Sequence, residues 1–152
     1  MSDPTSPASE PSVASTPPSL ILRFAARLID GIIVGIAVLI VAIPLMILDN
    51  STTVGLLSSV AGFAYYVLMD AKVGTTLGKK ILGLSVQGSA AGRPTLEQAA
   101  MRESFVLLGV IPFVGGLLGL VAAIAIAVTI SQSSTGQGIH DQFGKGTRVV
   151  RA

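Results

Sequence analysis

The chain has 152 residues, 51% hydrophobic and 12% charged, with a formal net charge of +2 and a mean hydropathy of +0.77. Soluble domains carry about 25% charged residues, so the deficit excludes an ordinary soluble domain and points to an all-α integral membrane protein, with room for one small membrane domain and no separate catalytic domain. With no Cys and a single His, His140, disulfides, thiolate metal sites and multi-histidine metal centres are excluded, and no metal or other cofactor is expected.

Residues 1–19 are rich in Ser, Pro and Thr and contain Asp3 and Glu10 but no Lys or Arg. Such a stretch buries too little apolar area to offset the entropy of ordering and is expected to be a disordered tail. It lacks the basic n-region of a signal peptide, so the first helix is expected to be an uncleaved anchor.

A transmembrane domain is expected over 20–151. Its first helix is placed at 20–48, after Pro17-Pro18, with Pro44 bending it near the far interface. Residues 31–48 carry no charge, long enough for the apolar part of a span. At the head of this run, Arg23, Arg27 and Asp30 fall within about 60° of one another on a 3.6-residue helix. Gly31 and Gly35 form GxxxG, which permits close helix approach. After a polar turn at Asp49-Asn50-Ser51, a second helix is expected over 53–69, with Tyr65 and Tyr66 in the interfacial aromatic belt.

Residues 70–95 are polar and basic. Within them, 75–84 reads as a short interfacial helix, with Leu77, Ile81, Leu82 and Leu84 toward lipid and Lys79 and Lys80 toward headgroups. The segment from Gly74 to Lys80 is not a phosphate loop: its spacing is GxxxGK, and no Ser or Thr follows the lysine. Leu84-Ser85-Val86 has strand composition, and Thr95 with Gln98 forms a capping box opening the next helix.

Residues 104–130 again carry no charge. They fit either one helix of about 40 Å or a hairpin of helices at 96–114 and 115–131, broken at Pro112 and Gly115-Gly116. In the hairpin all ten Lys and Arg lie on one side, and the positive-inside rule then makes both termini cytoplasmic in a fold of about four membrane-embedded helices. Gly115, Gly119, Ala123, Ala127 and Ser131 recur every four residues. This smooth ridge serves either internal packing, for example against Gly31 and Gly35, or a homo-oligomer seam. Residues 147–151 have strand composition and are expected to pair with 84–86 as a small cytoplasmic strand pair. That pairing brings Asp141 toward Lys79, Arg93 or Arg102.

Arg23, Arg27, Asp30, Arg102 and Asp141 thus form the candidate charged cluster. In one reading the arginines snorkel to headgroups and Asp30 is satisfied by Arg27 or Arg102. In the other, Asp30 binds a cation or proton and a neighbouring arginine tunes it. No nucleophile with a base, metal set or phosphate loop is present, so an enzyme is not expected.

Four segments in order resemble the RDD family of membrane proteins: Arg23 to Asp30 on the first helix, Gly74 to Leu84 after the second, Arg93-Pro94-Thr95 with Arg102, and Ile139-His140-Asp141 followed by Gly146 to Val150. Together they cover about residues 20–151. Of the arginine and two aspartates that name the family, the aspartates match Asp30 and Asp141, and the arginine matches Arg23 or Arg27. The resemblance implies a bacterial inner-membrane protein that assists transport, and no reaction. The chain is accordingly expected either to help move an ion or small solute or to act as a membrane adaptor. Its expected partners are the lipid bilayer and a second copy or a membrane partner protein, with no nucleic acid.

Overall fold

The computed structural model describes residues 17–111 and 113–152. The tail reading over 1–16 and the break at Pro112 lie outside the described residues. Three helices are long and apolar enough to cross a membrane: α1 (Leu20–Ala42), α2 (Ser51–Lys72) and α5 (Gly115–Gln132). Between them lie α3 (Leu77–Ile81), β1 (Leu84–Gln87), α4 (Leu96–Glu103) and a 3-10 helix, Ser104–Val110; α6 (Ile139–Phe143) and β2 (Arg148–Arg151) follow.

Each start has a local cause. Ser19 Oγ accepts from Leu22 N–H at α1, and Asn50 Oδ1 accepts from Thr53 N–H at α2. Thr95 and Gln98 form the expected capping box at α4, satisfying two of the amides that a helix start leaves unpaired. Helix α1 stops at Ala42 rather than bending at Pro44 and continuing to Leu48. Pro44 has no N–H to donate, and the chain must turn within a few residues to begin α2. Ile47 N–H reaches Ala42 C=O at 3.2 Å, and Met46 takes a positive φ of 53°. At its other end α2 runs past Met69 to Lys72, which brings Asp70 inside the helix.

The expected helix over 96–114 is also different. Helix α4 ends at Glu103 and the 3-10 segment continues it, so among the described residues three helices have the length and composition of a span. At about 2 Å per residue a 3-10 turn extends farther than an α-helix of equal residue count. It carries Gly109 to the level of Gly55 and Ser59 on α2. Helix α5 then comes back, because Ile139 N–H donates to Thr129 Oγ1 at 3.0 Å and α6 packs on α4. The stretch 96–132 is therefore a hairpin that begins and ends at the same end of the bundle. Its turn is tight: a Cβ on Gly115 would run into the Leu108 carbonyl and Gly109 backbone.

Strands β1 and β2 pair antiparallel, with Leu84 opposite Arg151 and Val86 opposite Val149. The pairing of 84–86 with 147–151 is as the sequence reading has it. Leu84, Val86 and Val149 pack with Ala26 into the small interior core, so Leu84, at 1% exposed, does not face lipid. Leu77 and Ile81 do face outward. Most of the large apolar side chains of α1 and α5, with Leu56, Val60 and Leu68 of α2, also point out of the bundle, as a lipid-facing surface requires and an aqueous one does not tolerate.

Candidate functional site

Asp30 sits one turn beyond Ala26 on α1 and is fully buried. The sequence reading pairs it with Arg27 or Arg102, but the structure surrounds it with neutral donors. Tyr65 Oη–H donates to Oδ1 at 2.7 Å and Gly78 N–H donates to the same oxygen at 2.8 Å, while Thr76 Oγ1–H donates to Oδ2. A Cβ on Gly78 would collide with the Ala26 carbonyl and the Asp30 carboxylate, so only glycine lets this backbone come so close. Leu77 N–H in turn donates to Tyr65 Oη at 3.0 Å. Asp30 thereby fastens the start of α3 against α1 and α2.

The charges pair with one another beside this cage. Arg27 Nη1 donates to Glu103 Oε2 at 2.8 Å, and its guanidinium lies 3.6 Å from the Tyr66 ring centroid and 5.1 Å from that of Phe105, a cation–π arrangement. Lys79 Nζ donates to both oxygens of Asp70, at 2.8 and 2.9 Å. Arg102 Nη1 reaches Asp70 Oδ2 at 3.4 Å, and its Nε stands 3.0 Å from Asp141 Oδ1. The second approach lies off the N–H axis and acts through charge rather than as a hydrogen bond. Arg23 completes the chain of contacts, with Nη1 3.6 Å from Asp141 Oδ2 and Nη2 donating to Val149 C=O at 3.3 Å. Four cations (Arg23, Arg27, Lys79, Arg102) thus share one end of the bundle with four carboxyls (Asp30, Asp70, Glu103, Asp141).

Of the predicted cluster, Arg23, Arg102 and Asp141 meet directly, Arg27 joins through Glu103, and Asp30 stands in its own cage. Asp70, Glu103, Thr76 and Gly78 were not singled out. A signal for Asp70 and Glu103 existed, since each borders an uncharged apolar run and acids at such borders tend to be paired. Lys79, expected at the headgroups, is instead buried, 7% exposed against Asp70, whereas Lys80 is exposed. Tyr65 and Tyr66, expected at the interface, both turn toward the charged site. Tyr65 serves Asp30, and Tyr66 is buried under Arg27.

Burial pushes the Lys79 ammonium down from its ordinary range, with Asp70 opposing. Burial would raise Glu103, but Arg27, with Lys79 and Arg102 beyond it, outweighs that and holds the carboxyl well below its usual range. His140 is pushed down to about 4, first by burial and then by the Arg102 charge, so it is neutral at pH 7. Its ring lies edge-on to Phe105, with centroids 6.1 Å apart.

A cavity of about 200 Å³ opens between α1 and α5 onto this network. Its walls include Arg23, Phe24 and Arg27 on one side and Ala123 and Ala127 on the other. The ridge residues therefore divide. Gly115 packs at the hairpin turn, Ala123 and Ala127 leave the cavity open, and a Cβ added at Gly119 would meet nothing within 4 Å. A Cβ added at Gly31 or Gly35 would also meet nothing within 4 Å, and both face outward, so they do not pack on α5. Among the described residues no group of three His, Asp or Glu is placed to hold a metal ion.

The family model described as the RDD family matches residues 17–145, most of the chain. Neither curated proteins nor solved structures give a match.

Two outcomes follow from this geometry. Replacing Asp30 by Asn turns one acceptor oxygen into a donor facing Tyr65, Thr76 or Gly78, and the clash should cost about 1–3 kcal/mol, read as a lowered thermal midpoint in detergent. A variant as stable as the parent would contradict the cage. For His140, the unfolded chain takes up a proton below about pH 6.5 while the folded chain does so only below about 4. Stability should therefore fall as pH drops through that window. In His140→Gln this limb of the pH profile should be lost, leaving only the carboxyl contribution at lower pH; an unchanged profile would show His140 to be accessible to protons.

Proposed function

Since the chain belongs to the RDD family of membrane proteins, we propose that it is a non-enzymatic, multi-pass protein of the inner membrane that assists passage of an ion or small solute at its buried charge network. The observation that supports this reading is that the network is not saturated. Arg102 divides itself between Asp70 and Asp141, and among the described residues Arg23 Nε has no hydrogen-bond partner, while Arg23 Nη1 and Asp141 Oδ1 are held by charge alone. Buried ions cost several kcal/mol each unless fully paired. A purely structural cluster would be expected to close its bonds. One that exchanges a partner keeps some open, and ionisable groups beside apolar spans tend to mark such paths.

The hairpin returns α5 to the end where α1 begins, so Arg23, Lys79, Arg102 and the strand β2 share one side. We read that side as cytoplasmic, with both termini on it, from the concentration of Lys and Arg there. A second reading, a membrane adaptor, draws on the outward Gly31 and Gly35, whose open face suits close approach by another helix.

Sidedness can be tested without background, because the chain has no Cys. In intact cells Asn50→Cys should react with an impermeant maleimide and Ala152→Cys should not; reaction of Ala152→Cys would reverse the assignment. For function, the purified chain in liposomes should carry a cation or proton flux down an imposed gradient. Asp141→Asn should lower that flux about tenfold or more, since it removes one charge from a coupled buried set. Lys145→Ala, at the exposed pair with Glu97, should leave it unchanged. A flux indifferent to Asp141 would remove the network from the path.

A further inference from the structure

The cavity between α1 and α5 differs in chemistry from the network behind it. Four cations, Arg23, Arg27, Lys79 and Arg102, contribute to its wall, against one carboxylate, Glu103. Asp30, Asp70 and Asp141 are fully buried and do not line it. The wall therefore presents positive charge although the cluster as a whole is balanced. Arg23 is the sharpest feature. Its side chain is only 8% exposed, yet among the described residues Nε has no hydrogen-bond partner and Nη1 has only the 3.6 Å ion pair with Asp141. Leaving guanidinium donors unpaired in a buried site costs free energy that an anionic oxygen arriving in the cavity would recover.

The other half of the cavity is apolar. Leu20, Phe24, Ile126 and Ile130 line it, and Ala123 and Ala127 keep it open by their small size. A shallow furrow continues from Phe24 and Arg27 along α1 past Leu28, Gly31 and Ile32. Phe24, Leu28 and Ile32 are 69%, 57% and 56% exposed on a helix long enough to span, so the furrow runs along the lipid-facing surface. Gly31 leaves it unobstructed. A basic chamber at the end of an apolar furrow has the polarity of an amphiphile with an anionic head.

We propose that this cavity binds one anionic phospholipid laterally from the bilayer, with the headgroup phosphate taken by Arg23 and Arg27 and an acyl chain lying along α1 past Gly31. Arginine is suited to the role because its fork matches phosphate oxygens two at a time. The site stands apart from the transport reading: it requires a bound lipid, not a flux.

The test is native mass spectrometry of the full chain in detergent, titrated with phosphatidylglycerol or with phosphatidylcholine of the same acyl chains. One phosphatidylglycerol per chain should be retained in preference to phosphatidylcholine. Arg23→Gln should lower that retention about tenfold, the size expected for one charge-assisted hydrogen bond. Ala127→Leu fills the cavity without touching a charge, and should also remove the adduct while leaving helix content by circular dichroism unchanged. Inorganic phosphate at millimolar concentration should not displace the lipid. Equal retention of the two lipids, or an adduct indifferent to Ala127→Leu, would overturn the proposal. Displacement by free phosphate would make the ligand a soluble anion and overturn the lipid assignment.

Discussion

Arg102 is the group on which the arrangement of this chain turns. It is 3% exposed and stands between Asp70 of α2 and Asp141 of α6. A guanidinium cannot shed its charge, so once buried it must be met by carboxylates, and these come from segments far apart in sequence. Because residues 102 and 141 must meet, everything between them is obliged to leave the cluster and return to it. The hairpin of the 3-10 segment and α5 is the consequence. A single crossing at 104–130 would strand Arg102 and Asp141 on opposite faces of a membrane, each without its partner, at a cost that apolar helix packing could not offset.

Much of this was legible in the residues. Hydropathy located α1, α2 and α5, and β-branched residues at 147–151 opposite 84–86 gave the strand pair. The concentration of Lys and Arg favoured the hairpin, and with it the meeting of Asp141 with one of Lys79, Arg93 and Arg102; of these it is Arg102 that Asp141 meets. What stayed hidden was which partner each charge takes. Lys79 lies in a helix of only five residues, too short for periodicity to show whether its lysine faces headgroups or an acid. Gly78 lies in the family-like segment, but its residue type does not show which acid it serves, because what it contributes is a backbone N–H and the absence of a Cβ. The Tyr65 contact was within reach of simple arithmetic. With α1 ending at Ala42 and α2 starting at Ser51, Asp30 lies about 18 Å and Tyr65 about 21 Å from the connecting turn at 1.5 Å per residue. The two are at nearly the same depth. The rule that tyrosines near helix ends belong to the interface obscured that match.

The two kinds of acid at this site behave differently for a physical reason. Asp30 accepts from a phenol, a hydroxyl and a backbone amide, all neutral and all anchored to packed elements. Such donors fix geometry and do not leave. Asp70 instead faces only cations on side chains with several rotatable bonds, and Asp141, one oxygen of which is held by the Gly138 N–H at 3.0 Å, shares one of those cations. The cation partners of Asp70 and Asp141 can therefore be exchanged, while Asp30 has only fixed donors. The carboxylate that the sequence makes most conspicuous is a fastening, and the exchangeable charge lies with acids at the ends of other elements.

The fastening nevertheless acts on the exchangeable set through one peptide bond. Gly78 gives its N–H to Asp30, and the next residue, Lys79, gives its ammonium to Asp70. In a helix of five residues these two contacts cannot move independently. Pulling α3 away from α1 would withdraw Lys79 from Asp70, and Asp70 would then rely on Arg102 alone. Arg102 in turn would be drawn from Asp141, whose remaining cation, Arg23, lies 3.6 Å away. The neutral cage at Asp30 thus sets how the charges at the far side of the network are divided. In the proposed transport role, a change in that division is the kind of rearrangement a passing ion would require.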